Sequence, residues 1–199
     1  MHIRAPAILL SARQHGETAV IGRFLTAEYG LVAGYVAGGR GRNLRPVVIP
    51  GNAVEVQLSA KSDSQLPFAK VELVTSRGPW LAEPLPAAAI GWVTALTATA
   101  LPERQPYPTL YEALGGVLDA VCHAPSARGW ASALVGYEAL LLRELGYGGA
   151  GGRPEGELAQ VIEAMDTIGE PLEHYLLADR RGDVMAARTR LRELLQRIT

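Results

Sequence analysis

The sequence predicts an α+β chain, with an N-terminal OB-type β-barrel followed by an all-α helical domain. Two observations predict it. Over residues 1–80, apolar and polar residues fall in strand-length runs with a period near 2. From residue 81 onward, apolar residues recur at helical spacing. Charge divides at the same place: the first 80 residues hold nine Lys/Arg against five Asp/Glu, and the remaining residues hold ten against fifteen. A net charge of −1 therefore conceals a basic front and an acidic back, as expected of two units with different partners.

The strand segments follow in order. "PAILLSAR" is a short apolar run, and "ETAVIGRFLT" sets Val20, Gly22 and Phe24 opposite Ile21, Arg23 and Leu25. "GLVAGYVAG" comes directly after a Glu28-Tyr29-Gly30 turn signal. "NAVEVQLSA" alternates cleanly, with Val54, Val56 and Leu58 on one face, and "PFAKVELVTS" is read with Phe68, Val71 and Leu73 as its apolar set. Five strands in 80 residues, separated by Gly/Asn/Ser/Pro turns, suit an OB-type barrel.

In the second half, Pro86 can open a helix at its first turn and Leu101-Pro102 can close it. "YPTLYEALGGVLDAVCH" carries Leu110, Leu114, Val117, Leu118 and Val121 at helical spacing. "WASALVGYEALLLRELGY" is apolar nearly all round and is expected at the centre of the core. "GGAGGRPEGE" reads as a flexible interruption. Leu158, Val161, Ile162, Met165 and Ile168 form another apolar face, Pro171 is expected to start a short helix, and Asp183 to cap the last one. That helix has Val184, Ala187, Leu191, Leu194, Leu195 and Ile198 as its stripe. The domain boundary is placed between Gly78 and Pro86, giving units 1–80 and 81–199.

Composition narrows the function. Hydrophobic residues make up 48% of 199, enough for a real core. Cys122 is the sole cysteine, which excludes an intramolecular disulfide and a zinc site of two or more cysteines. The N-terminal "MHIRAPAILLSARQHGE" is not read as a signal peptide. Leu85–Pro102 carries no charge, but a span needs roughly 20 apolar residues with basic anchors. This segment is Ala- and Thr-rich and bounded by prolines, so it is read as a core helix and no membrane association is expected.

The feature that points to a ligand is "VAGGRGRNLRP", residues 36–46, where Arg40, Arg42 and Arg45 lie among Gly38, Gly39 and Gly41 with no acid. Between two strands of a small barrel, such a loop projects from the rim. Glycines let backbone approach a phosphate closely, and the planar guanidinium donates two hydrogen bonds to one. Arg13, Arg23, Lys61, Lys70 and Arg77 are candidates to extend a DNA-binding patch. An ordinary solvated loop is the competing reading. There is no Gly-Lys-Ser/Thr, so ATP binding is not supported. Phe24 and Phe68 are expected in the core, leaving Tyr29 and Tyr35 as candidate stacking rings. Contacts to DNA are therefore expected to fall on its backbone, with weak sequence dependence.

No catalytic set is organised. His2, His15, His123 and His174 are scattered, no GxSxG occurs, and no metal or coenzyme is expected. Cys122 is read as a structural thiol. Glu138 interrupts an apolar helix and needs a partner if buried; an arginine joining the helical domain to its neighbour is the preferred reading. In the last helix, Arg188 and Arg192 flank one side of the apolar stripe and Arg190 and Arg197 the other, which suits a core-packed helix with extended basic flanks.

Three stretches together resemble the RecO family of bacterial DNA repair proteins. The first is "ILLSARQHGETAVIGRFLTAEYGLVAGYVAGGRGRNLRP", with Arg13, Gly16 and Glu17 in a turn, Leu25-Thr26 and Gly30, and the glycine-arginine loop. The second is "LPERQPYPTLYEALGGVLDAV" and the third "WASALVGYEALLLRELGYG". The resemblance implies an OB fold, binding of single- and double-stranded DNA and annealing of complementary strands without ATP. It also implies action with RecR in helping RecA replace single-stranded DNA-binding protein (SSB), binding of the SSB C-terminal tail, and a cytoplasmic, nucleoid-associated location. Arg40, Arg42 and Arg45 stand where the family has its glycine-basic loop, and Arg128, Arg143 and Arg153 are candidates to receive a tail carboxylate. Many members carry a cysteine cluster, and several bind zinc, where this chain reads "GYGGAGGRPEGE"; zinc is thus not expected here. The chain is also shorter in that region. Two rivals remain from other classes, a protein-binding adaptor with little DNA affinity and a small hydrolase using Glu17 and a histidine.

Overall fold

The computed structural model describes residues 2–62, 64–148, 152–178 and 184–199. The chain divides into two compact units. One comprises the residues through Pro79 together with Leu101–Tyr111, and the other comprises Trp80–Ala100 and Glu112–Thr199. Residues 101–111 thus return to the first unit, which a change of hydrophobic period at 78–86 does not reveal.

The first unit is a closed five-stranded barrel: β1 (His2–His15), β2 (Ala19–Thr26), β3 (Gly30–Val36), β4 (Ala53–Ser59) and β5 (Phe68–Thr75), in the order β1-β2-β3-β5-β4. β1 closes the ring because it is long enough to serve two neighbours. Its first half pairs with β4 and its second half with β2, both antiparallel, and the register shifts between Leu9 and Ser11. Such an irregularity bends a strand and increases its twist, as a small barrel requires. The last seam is parallel, Tyr35 opposite Phe68.

Alternation fills the interior. Ile3, Ala5, Ala7, Leu9, Val20, Phe24, Val32, Val54, Val56 and Leu58 form its core with Ala69 and Val71 of β5. Phe68 was expected in that core and is instead 63% exposed. The reason is parity: Ala69 and Val71 face inward, so with a period of 2 their even-numbered neighbours face out. Small residues matter inside. A Cβ on Gly34 would meet the Leu58 and Ala69 side chains at 2.7 and 2.8 Å.

Residues 101–111 are held to the barrel at β3. Arg104 N–H donates to the Leu31 carbonyl (2.9 Å), Leu31 and Glu103 form a parallel bridge, and Glu103 accepts from Arg23 (3.2 Å). Gly30, at φ +68°, passes so close to the Gln105 backbone that a side chain has no room.

The second unit contains α1 (Pro84–Ala100), after a 3₁₀ turn at Gly78–Ala82, then α2 (Pro108–His123, begun in the first unit), α3 (Ala127–Glu144), α4 (Leu158–Pro171) and α5 (Val184–Gln196). α1 buries Ala89, Ile90, Trp92, Val93, Leu96 and Ala98. Its threonines do not disturb the core, since Thr94 and Thr97 donate to the Ile90 and Val93 carbonyls (both 2.7 Å). Thr97 also meets the Tyr137 hydroxyl at 2.7 Å, and burial pushes that phenol well above its ordinary range. Among the described residues no helix is long and apolar enough to cross a membrane.

A short helical segment does begin at Pro171, though as a continuation and not as a separate helix. Pro171 ends α4, which runs on as a π-helical segment, Leu172–Leu177. Proline has no N–H to give the turn before it, and the helix continues past it with a wider turn. The proposed cap Asp183 lies outside the described residues.

Glu138 does find an arginine, but within the helical unit rather than across to the barrel. Arg188 of α5 was expected on an extended flank; it is buried and spans both carboxylate oxygens (Nε–Oε1 2.9 Å, Nη2–Oε2 2.8 Å). Nη2 also donates to the Met165 carbonyl of α4 (2.6 Å), and Trp92 Nε1 of α1 donates to Oε1 (2.7 Å). A single carboxylate thereby joins α1, α3 and α5, and its arginine reaches α4.

Candidate nucleic-acid interface

The glycine-arginine segment belongs to the β3–β4 connection, residues 37–52. It is built as a series of turns, with Gly38 at φ +67° and bonds from Gly41 N–H to the Gly38 carbonyl (2.8 Å) and from Arg45 N–H to the Gly41 carbonyl (2.9 Å). Val48 enters the barrel core, and Leu44 and Val47 lie against it. Buried Asn52 secures the base of the loop by donating to the carbonyls of Pro46 (3.1 Å) and Val47 (3.0 Å) while accepting from Arg77 N–H (2.8 Å). This segment is therefore an anchored projection. Asn52 carries no signal in a single sequence beyond its place before a strand.

The three loop arginines separate into two kinds. Arg40 ties the loop to the β1–β2 turn, donating through its backbone N–H to the Thr18 carbonyl (2.9 Å) and through Nη1 to the Glu17 carbonyl (2.7 Å). Arg42 and Arg45 are exposed, and among the described residues neither guanidinium has a hydrogen-bond or ion-pair partner. The added candidates divide as well. Arg77 is 4% exposed and donates to the Gly51 carbonyl, so it braces the loop base and leaves the interface; it follows the end of β5 and turns inward. Arg23 is half-buried and engaged with Glu103. Arg13, Lys61 and Lys70 are exposed.

Strand register sets Arg13 and Lys70 in two adjacent outward rows that wind round the closed barrel. Arg13 lies opposite Ile21, Ile21 opposite Tyr35, Tyr35 opposite Phe68, Phe68 opposite Ser59, and Ser59 opposite His2. Lys70, Gln57 and Arg4 form the row two residues along. Neither row contains an acid. The paired residues Glu55 and Glu72 come one row further on, and there Glu55 accepts from Arg4 (2.7 Å). On one stretch of this outer surface rings meet across the strands: His15 meets Tyr35 edge-on at 5.8 Å, and Tyr35 meets Phe68 edge-on at 5.4 Å. Tyr29, the other candidate ring, packs against the barrel core. Of the two candidate rings Tyr35 lies on the outer surface, and Phe68, expected in the core, and His15 lie there beside it.

Comparison with known proteins places the chain in a family. A model described as Recombination protein O N terminal matches residues 1–77, and one described as Recombination protein O C terminal matches residues 84–149. A DNA repair protein RecO of Rhodospirillum centenum is 33% identical over 230 aligned positions, covering 92% of this chain and 90% of that protein. The chain belongs to the RecO family. RecO proteins of Rhizobium etli and Phenylobacterium zucineum are 42% and 37% identical to it. Those alignments cover 71% and 74% of this chain but 54% and 60% of the relatives.

In this RecO-family chain the helical candidates lie around two depressions. Arg128 and Arg153 line one with Ser126 and Ser132. Arg128 Nε donates to the Gly156 carbonyl (2.8 Å) and its Nη1 pairs with Glu157 (3.1 Å). Arg153 donates to Ser132 Oγ (3.1 Å) and to the Gly129 carbonyl (3.0 Å). Arg143 lines the other depression, which it shares with Arg153. Among the described residues no group of three His, Cys, Asp or Glu is placed to hold a metal. Of the glycine stretch after α3, residues 149–151 lie outside the described residues.

Proposed function

We propose that this RecO-family protein acts in DNA repair by binding single- and double-stranded DNA through its barrel and annealing complementary strands without ATP. With RecR it helps RecA take over single strands coated by SSB. The observation that carries the reading is the anchored loop that presents Arg42 and Arg45 without partners among the described residues, beside the acid-free rows of the barrel. Arginines on such a loop neutralise phosphate without first giving up an ion pair and lower the repulsion between two strands. Pairing then follows from the bases themselves. No bond is made or broken, so the scheme needs no catalytic residue and no cofactor.

The helical unit is proposed to hold protein partners. The depression with Arg128 and Arg153 suits a carboxylate of the SSB C-terminal tail, which would compete with Glu157 for Arg128. Arg143 with Arg153 offers a second basic position. The place of action in this reading is the cytoplasm, at the nucleoid.

The test is annealing of two complementary oligonucleotides, without nucleotide or metal, by the wild type and by Arg40→Ala/Arg42→Ala/Arg45→Ala. Annealing by the wild type that is lost in a folded triple variant supports the reading. Annealing retained by the variant moves the site off the loop. Absence of DNA binding by the wild type favours an adaptor that acts through its helical unit.

A further inference from the structure

We infer that Phe68, steadied by Tyr35, is a stacking post for unpaired bases, and that it makes the barrel discriminate single-stranded from duplex DNA; this rests on the DNA-binding reading above. Phe68 is the first residue of β5, and its ring is exposed where a phenylalanine gains nothing from solvent. A lone exposed apolar side chain is ordinary, but this one is organised. Tyr35 meets it edge-on at 5.4 Å, and His15 meets Tyr35 at 5.8 Å, so three strands contribute rings to one face. The Tyr35 N–H donates to the Pro67 carbonyl (2.8 Å), which fixes the backbone on both sides of the ring pair.

Phe68 also stands between two depressions. One, of ≈ 570 Å³, lies between Ala37 and Leu44 of the arginine loop and Lys70 of β5. The other, of ≈ 820 Å³, lies toward the β4–β5 loop and includes Lys61 and Leu66. Each has the size of a small-ligand site and carries a lysine beside apolar side chains; the first also includes Glu72, at the end away from Phe68 in the strand. That is the chemistry of a nucleotide with its base unstacked: a flat apolar face for the ring and a cation for the phosphate. Position agrees, because OB folds use the face of strands 2 and 3 between the β1–β2 and β4–β5 loops for oligonucleotides. Duplex DNA keeps its bases stacked and offers no free base face to the ring, while its phosphates remain open to the loop arginines.

The experiment compares wild type, Phe68→Ala, Tyr35→Ala and Phe68→Leu by fluorescence anisotropy. The ligands are a thymidine oligonucleotide, the same oligonucleotide with abasic sites, and a duplex of equal length. Circular dichroism verifies the fold, which an exposed ring should not control. Phe68→Ala is expected to weaken single-strand binding roughly tenfold, with Phe68→Leu equally weak because a ring is required. On the abasic strand, wild type and Phe68→Ala should bind alike, and duplex affinity should not change. Unchanged single-strand binding by Phe68→Ala, or an equal loss on single strand and duplex, overturns the inference while the DNA-binding reading stands. A wild type that binds neither ligand overturns both.

Discussion

Glu138 and Arg188 form a two-point ion pair in the helical unit, with side chains 0% and 5% exposed. Trp92 and the Met165 carbonyl take part in the same network. Breaking a buried pair leaves an uncompensated charge, which costs far more than the pair contributes. Glu138→Ala or Arg188→Ala should each lower unfolding stability by about 3–5 kcal/mol. The double variant should lose clearly less than the sum of the two, since no lone charge remains. Chemical denaturation of the four proteins measures this, and additive losses would contradict the coupling.

The loop arginines make a prediction about salt. Each phosphate neutralised on a single strand contributes about 0.7 to the slope of log K against log salt. Arg42 and Arg45 have no partners among the described residues, so Arg42→Ala/Arg45→Ala should flatten the slope by about 1.4 units. Arg40→Ala should in addition loosen the loop from the β1–β2 turn, because it removes the bond to Glu17. Binding titrations across a salt series separate these effects, and an unchanged slope for the double variant would place the phosphate contacts elsewhere.

Gly30 makes a prediction about the barrel. Its φ of +68° disfavours a side chain, and a Cβ would collide with the Gln105 backbone, which cannot swing aside like a flexible side chain. Gly30→Ala should destabilise the protein by more than about 1 kcal/mol. Gly16→Ala, at φ +60° with open space around it, should cost only the strain of its backbone conformation and therefore less. Thermal melts of the two variants compare them.

Asp166 gives a pH dependence. Hydrogen bonds from Arg192 hold its carboxyl below the ordinary value, with the attraction of Arg192 and Arg188 helping and partial burial opposing. A carboxyl depressed in the folded state adds stability above its unfolded pKa and loses it as pH falls through the lower folded value. The pair is partly exposed, so its worth is under about 1 kcal/mol. Asp166→Asn should therefore be slightly less stable than wild type near pH 7. The difference should close at pH values below the ordinary carboxylate range, as denaturation at several pH values would reveal.

Much of the fold was legible in the residues. Period-2 runs marked five strands, and their inward sets Val20/Phe24 and Val54/Val56/Leu58 are the barrel core. The basic loop was legible too, because glycines and unaccompanied arginines are local features. The exposed ring of Phe68 was not. Phe68 reads as apolar and therefore internal, and its exposure follows from a register that places Ala69 and Val71 inside. Arg77 and Arg188 were misplaced for the converse reason: an arginine in one dimension looks like surface, yet each turned inward to a carbonyl or carboxylate supplied by a residue 26 or 50 positions away.

By itself the sequence determined the class of each segment, the basic loop and, through three ordered stretches, the family. These properties live in neighbours along the chain, where backbone preference and apolar period act. Tertiary structure alone decided which strand closes the barrel, that residues 101–111 return to β3, which arginines turn inward to partners and which ring faces out. Those outcomes depend on pairings between distant residues, and a polar group's fate is set by whichever partner the fold brings within hydrogen-bond reach.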